Sequence, residues 1–154
     1  DAWRESDFLG IEVHRPGIGK VMSEAEERGL DNLRVIEGDA VELLRGPLEG
    51  ARFHGIHIFF PDPWPKKRHQ KRRLIQGGYP DELADHLYPG GYLYTVTDWE
   101  EYAEQMIQVL CNSRRLSNAY DRFAPRQPWR PETPFERKGV AKNHEVWELF
   151  FVRS

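Results

Sequence analysis

The stretch His54-Gly55-Ile56-His57-Ile58-Phe59-Phe60-Pro61-Asp62-Pro63-Trp64 decides how the chain is read. Ile56, Ile58, Phe59 and Phe60 make an apolar run that favours a strand, and Pro61 and Pro63 cut it off. Working outward, the same alternation recurs. Phe8 to Val13 reads as a buried strand carrying an acid, Glu12, near its end. Ile18 to Arg28 has helical character and stops at Gly29. Leu33 to Ile36 is a second strand, ending near Gly38-Asp39, and Ala40 to Leu44 a short helix. Beyond the central stretch lie a helix around Asp81 to Leu87, a turn at Pro89-Gly90-Gly91 and a strand from Tyr92 to Val96. An amphipathic helix over Trp99 to Leu110 follows, with Tyr102, Met106, Val109 and Leu110 near one face. Residues 121–143 read as a long Pro- and Arg-rich loop before a last strand, Val146 to Val152.

Strands separated by helices imply an α/β fold: one domain over residues 1–154, with a doubly wound, mostly parallel sheet and an antiparallel edge strand. In such sheets ligands bind beyond the carboxyl ends of the strands. Glu12, Asp39, Asp62 and Asp98 each stand at such an end.

The four acids differ in what else explains them. Asp39 before Ala-Val-Glu and Asp98 before Trp-Glu-Glu both fit helix N-caps. Glu12 suits ribose hydroxyls, since a carboxylate is a strong, directional acceptor. Asp62 is the sharpest case, because the prolines around it remove backbone donors and stiffen the loop. Trp64 in the same loop either presents a flat face to a base or packs into the core.

The 154 residues carry 22 Lys and Arg against 25 Asp and Glu, a net charge of −3 that by itself argues against nucleic acid. Distribution reverses that argument. Lys66, Lys67, Arg68, Lys71, Arg72 and Arg73 fall within eight residues, together with His69. A local basic patch dominates binding even on an acidic surface, although a solvated helix start accounts for the same run. No apolar run approaches the ~20 residues that span a bilayer. The single cysteine, Cys111, excludes an internal disulfide, is expected as buried packing and suggests a reducing, cytoplasmic setting. No metal is expected: His54 and His57 point to opposite faces of a strand, and His14, His69, His86 and His144 are scattered.

Phe59-Phe60-Pro61-Asp62-Pro63-Trp64-Pro65-Lys66-Lys67-Arg68-His69-Gln70-Lys71-Arg72-Arg73 resembles the signature of the bacterial-type tRNA (guanine-N7)-methyltransferases. Gly10-Ile11-Glu12-Val13-His14, Asp39-Ala40-Val41, Thr97-Asp98-Trp99 and Thr133-Pro134-Phe135-Glu136 match in the family's order. The resemblance implies a Rossmann-like, class I methyltransferase that moves a methyl group from S-adenosylmethionine to N7 of a guanine in the variable loop of tRNA. It further implies a first strand with a glycine-rich loop ahead of Glu12, which this chain is expected to lack; Gly17-Ile18-Gly19 follows that acid and reads as a helix start.

By the same resemblance Glu12 holds the cofactor ribose and Asp39 the adenine amino group. Asp62 is the central residue at the reacting and cofactor-binding position. Lys66, Asp98, Thr133, Phe135 and Glu136 contact substrate, while Lys67, Arg68, Lys71, Arg72 and Arg73 meet tRNA phosphates. The partner is tRNA, with no membrane and no metal; a monomer or a homodimer both remain open. Two other readings compete. A nucleotide-dependent dehydrogenase would use Glu12 equally well, and a non-catalytic RNA-binding module would use the basic run.

Overall fold

The computed structural model of the chain describes residues 3–133, 136–137 and 145–154. Its contacts divide it into two compact units, residues 1–51 and 52–154.

The first unit contains strand β1 (Phe8–Glu12), helix α1 (Arg15–Glu27), strand β2 (Leu33–Glu37) and helix α2 (Ala40–Arg45). β1 and β2 pair in parallel, with Phe8 opposite Leu33 and Glu12 opposite Glu37. The crossover is α1, which starts three residues earlier than its periodicity suggests because Pro16 sits in the first turn, where a missing N–H costs nothing. α1 ends as a Schellman turn. Gly29 takes a positive φ of 61°, its N–H donates to Glu26, and Leu30 N–H donates to Ala25.

The second unit holds strand β3 (Phe53–Phe59), a 3-10 turn (Lys67–Arg72), helix α3 (Tyr79–Asp85), strand β4 (Leu87–Thr97), helix α4 (Glu100–Cys111), and strands β5 (Leu116–Asn118) and β6 (Trp147–Arg153). The sheet order is β3-β4-β6-β5. β3 runs parallel to β4, while β6 is antiparallel to both β4 and β5. The antiparallel partner anticipated for the Tyr92 strand is therefore β6, and the three-residue β5 extends the edge. β4 begins earlier than the Pro89-Gly90-Gly91 signal suggests, because Leu87 already pairs with Phe53 across an irregular register.

The core of this unit follows from alternation. Leu93, Leu149 and Phe151 are fully buried, and Leu93 and Phe151 face each other across β4 and β6. Tyr102, Ala103, Met106 and Leu110 form the buried face of α4, and Thr95 Oγ1 lies 3.9 Å from Met106 Sδ. Cys111 is exposed, contrary to expectation, since it stands one residue past Leu110 and is rotated about 100° off that face. Gly55 is required by close approach: a Cβ there would lie 2.5 Å from the Tyr92 ring. No helix among the described residues is long and apolar enough to cross a membrane.

Leu93 sits on a central strand with none of its surface exposed. Leu93→Ala is expected to lower the unfolding free energy by ~2–5 kcal/mol. Urea unfolding measures this, and a loss below ~1 kcal/mol would show that β4 is not the centre of this core.

Candidate active site

Parallel pairing brings the four strand-end acids together two by two. In the first unit the register sets Glu12 opposite Glu37, and Gly38 N–H donates to the Glu12 carbonyl at 3.1 Å. Glu12 and Asp39 therefore share the carboxyl end of one strand pair. Glu12 Oε1 accepts from the Val13 and His14 amides at 2.8 and 2.9 Å, which fixes the side chain across the turn into α1. Asp39 is the N-cap of α2: its Oδ1 accepts from the Glu42 amide at 3.0 Å. Glu12 Oε2 and Asp39 Oδ2 take no hydrogen bond among the described residues.

In the second unit Phe59 pairs with Val96, and Phe60 N–H donates to the Val96 carbonyl at 2.8 Å. Asp62 and Asp98 follow these two strand ends. Asp62 is exposed and Asp98 half-buried, and neither carboxylate takes a hydrogen bond among the described residues. Asp98 is no N-cap: α4 starts after Trp99, whose amide donates instead to Thr97 Oγ1 at 3.2 Å.

The loop carrying Asp62 is strained. Phe60 and Trp64 both adopt left-handed backbone, with φ of 49° and 43°, and bulky residues rarely do so. Such conformations cost ~1–2 kcal/mol per residue and persist only where the surroundings impose them. Trp64 is neither core nor fully free. It is half-buried, with the Arg72 guanidinium 5.0 Å from its ring centroid and the His69 ring edge-on at 5.9 Å.

Arg73 departs from expectation. It closes the basic run in sequence but is 2% exposed, so it does not face tRNA phosphates. Its Nε donates to the Pro63 carbonyl at 2.6 Å, Nη1 to Gln105 Oε1, and Nη2 to Glu101 Oε1 at 3.2 Å. Its guanidinium carbon lies 4.9 Å from the Tyr102 ring centroid. The 3-10 turn rotates this residue inward while Lys66, Lys67, Arg68, Lys71 and Arg72 stay exposed.

Glu136 also departs from a substrate contact. It is 4% exposed and bound bidentately by Arg130, with Nη1 and Nη2 each 2.7 Å from a carboxylate oxygen. Arg130 Nη2 further donates to Glu148 Oε1 at 2.6 Å, and the Tyr94 hydroxyl donates to the other Glu148 oxygen. Thr133 and Glu136 form a reciprocal capping box. The Glu136 amide donates to Thr133 Oγ1 at 3.1 Å, and the Thr133 amide to Glu136 Oε2 at 2.9 Å. Thr133 itself is half-buried; Phe135 lies outside the described residues. The Thr-x-x-Glu spacing signals this box in sequence. An acid at 148, inside an otherwise apolar strand, signals a buried partner.

No group of three or more metal-ligating side chains occurs among the described residues. His57 has its pKa lowered by burial; it stacks on Trp129 at 5.0 Å and hydrogen-bonds the Tyr92 hydroxyl at 2.9 Å.

A family model described as "Putative methyltransferase" matches residues 3–149. The chain belongs to this methyltransferase family. It is 52% identical over 147 residues to the tRNA (guanine-N(7)-)-methyltransferase of Ralstonia nicotianae, covering 96% of this chain and 59% of that protein. The Dechloromonas aromatica protein of the same name is 50% identical over 154 residues, covering 100% of this chain and 63% of that protein. Across the first three such relatives the chain spans between 57% and 66% of their length.

Among solved structures, a methyltransferase homologue from Pyrococcus horikoshii superposes with a TM-score of 0.64 at 17% identity, over 96% of this chain and 53% of that one. The N-methyltransferase NodS from Bradyrhizobium japonicum, solved with S-adenosyl-l-homocysteine, gives 0.62 at 15% identity, over 96% of this chain and 66% of that one. These likenesses show the α/β methyltransferase fold.

Burial alone would raise the Glu136 pKa. The Arg130 and Thr133 hydrogen bonds outweigh it and pull the group from 4.5 to about 2. A depressed folded pKa adds stability that is present above 4.5 and is lost as pH falls towards about 2. Glu136→Gln removes this dependence. The stability gap between the two proteins, measured by denaturant unfolding across that range, is expected to narrow as pH falls. A constant gap would show that the carboxylate is not held ionised by Arg130.

Proposed function

We propose that residues 1–154 form one methyltransferase domain of an enzyme that methylates N7 of a guanine in tRNA, using S-adenosylmethionine. The observation that carries this reading is Asp62: an exposed carboxylate on a strained, proline-flanked loop at a strand end, followed by exposed cations. The 52% identity to a relative named for this activity supports the substrate class. The family model and the solved folds span both compact units, which supports a single domain.

The first pair of acids fits the cofactor. Glu12 Oε2 and Asp39 Oδ2 remain available as acceptors after their loop contacts, suited to ribose hydroxyls and to the adenine amino group. When bound, S-adenosylmethionine supplies a sulfonium methyl to the N7 lone pair, the C–S electron pair staying on sulfur and no proton leaving before attack. No strong general base is therefore needed, and the residues have positioning work to do. Asp62 accepts from the guanine N1 or N2 hydrogens and offsets the positive charge that reaches the ring. Asp98, Lys66 and Thr133 contact the substrate around it. Glu136 acts one step back, by holding Thr133. Lys67, Arg68, Lys71 and Arg72 meet tRNA phosphates, which position the RNA without reading its sequence. A cytoplasmic setting, where tRNA is present, belongs to the same reading. An RNA-binding module without catalysis leaves the four acids unexplained, and a dehydrogenase leaves the basic run unexplained.

Asp62→Ala in the full-length protein is expected to lower single-turnover methylation of tRNA at least ~100-fold, the scale of losing one positioned electrostatic group. Circular dichroism controls for the fold, and nucleoside analysis identifies the product as 7-methylguanosine. Near-normal turnover would remove Asp62 from the site.

The basic run gives a second test. Neutralising Lys71 and Arg72 together is expected to flatten the slope of log affinity for tRNA against log salt by ~1–2 units. Filter binding across a salt series measures it; an unchanged slope would place the RNA elsewhere.

A further inference from the structure

We propose that Arg73 is a positioning residue for the methyl-transfer site, acting through the Pro63 carbonyl to hold Asp62 and Trp64 in their working conformation. The inference rests on the reading of Asp62 given above and adds a residue that touches no substrate.

Pro61, Pro63 and Pro65 have no amide hydrogen, so this loop has few ways to fix itself by its own backbone. It also contains two left-handed, bulky residues, Phe60 and Trp64, that would relax if released. Phe60 is tied to β4 through its amide. The far side of Asp62 is tied at the backbone by Arg73 Nε, which donates to the Pro63 carbonyl at 2.6 Å, beside the Arg72 and His69 contacts to the Trp64 ring. That carbonyl belongs to the peptide joining Pro63 to Trp64. Fixing it sets the direction in which the chain leaves Asp62.

The other end of the clamp is rigid. Arg73 Nη1 and Nη2 reach Gln105 and Glu101, one turn apart on α4, and the guanidinium lies over Tyr102 between them. Tyr102 is itself fully buried, and its hydroxyl accepts from the Ile75 amide at 3.0 Å. The Arg73 carbonyl accepts from Gln76 Nε2 at 2.6 Å, and its amide donates to Gln70. A planar fork with donors on three nitrogens spans a carbonyl and two helix side chains at once; a lysine ammonium on the same stem cannot. A phosphate contact would require this guanidinium to leave a site where its side chain is 1% exposed.

The test compares wild type with Arg73→Lys in the full-length protein. Arg73→Lys is expected to lower kcat for tRNA methylation about 10- to 100-fold, the scale of a loop displaced by ~1 Å. The KM for tRNA and the salt slope of binding should stay within about twofold of wild type. Guanidinium ion added to Arg73→Ala should restore part of the lost kcat, which a mere packing defect would not allow. Hydrogen exchange at the amides of Asp62, Trp64 and Lys66 should quicken in Arg73→Lys, a readout that needs no turnover. If neither variant folds, Gln105→Met, which removes one leg of the clamp, should show the same kcat loss in smaller measure and the same faster exchange. A kcat within twofold of wild type, a loss confined to KM with a flatter salt slope, or unchanged exchange would each overturn the proposal. A wild-type enzyme that makes no 7-methylguanosine while the exchange responds would instead overturn the functional reading and leave the clamp standing.

Discussion

The buried guanidinium of Arg73 is the contact on which the second unit's candidate site depends. A loop with three prolines and two left-handed residues does not choose one conformation unaided. Burying a cation is costly unless its donors are satisfied, and here a carbonyl, an amide oxygen and a carboxylate satisfy them. The two costs offset each other in one arrangement: the loop supplies an acceptor that needs a donor, and the arginine supplies donors that need acceptors. In this arrangement Asp62 stays exposed, and Trp64 is half-buried against Arg72 and His69.

The same device recurs at the other end of the unit. Arg130 is buried against Glu136 and Glu148, and Tyr94 completes the set. Here the loop held in place carries Thr133. Bidentate pairing suits arginine and fixes orientation as well as distance. Arg130 Nε has no hydrogen-bond partner among the described residues, which marks this cluster as costly to bury and so sensitive to the loss of any member. Two arginines are thus turned inward to hold loops, while Lys67, Arg68, Lys71 and Arg72 stay on the surface, as the proposed phosphate contacts require.

The alternation of strands and helices was legible because proline, glycine and apolar periodicity act locally. Phe53–Phe59 stops where Pro61 begins, α1 ends at Gly29, and Asp39 caps α2 as its position suggested. The strand-end acids were legible for the same reason. What was not legible depends on contacts between distant residues. Arg73 belongs to a run of cations, and only the 3-10 turn from Lys67 to Arg72 decides that the last one turns inward. Glu136 reads as a substrate contact until Arg130 and Glu148 are seen around it. Cys111 was placed on the wrong side of α4 by a single residue. The three-residue β5 carries too short a pattern to register.

The coupling between Arg73 and Asp62 is the most direct measure of this account. A double-mutant cycle with Arg73→Lys and Asp62→Asn, read as single-turnover methylation rates of tRNA, isolates it. If Arg73 acts by placing Asp62, each single variant slows transfer, and Arg73→Lys adds little, within about twofold, once Asp62 is already lost. Full multiplication of the two losses would contradict the account, because Arg73 would then serve the reaction by a route that does not pass through Asp62.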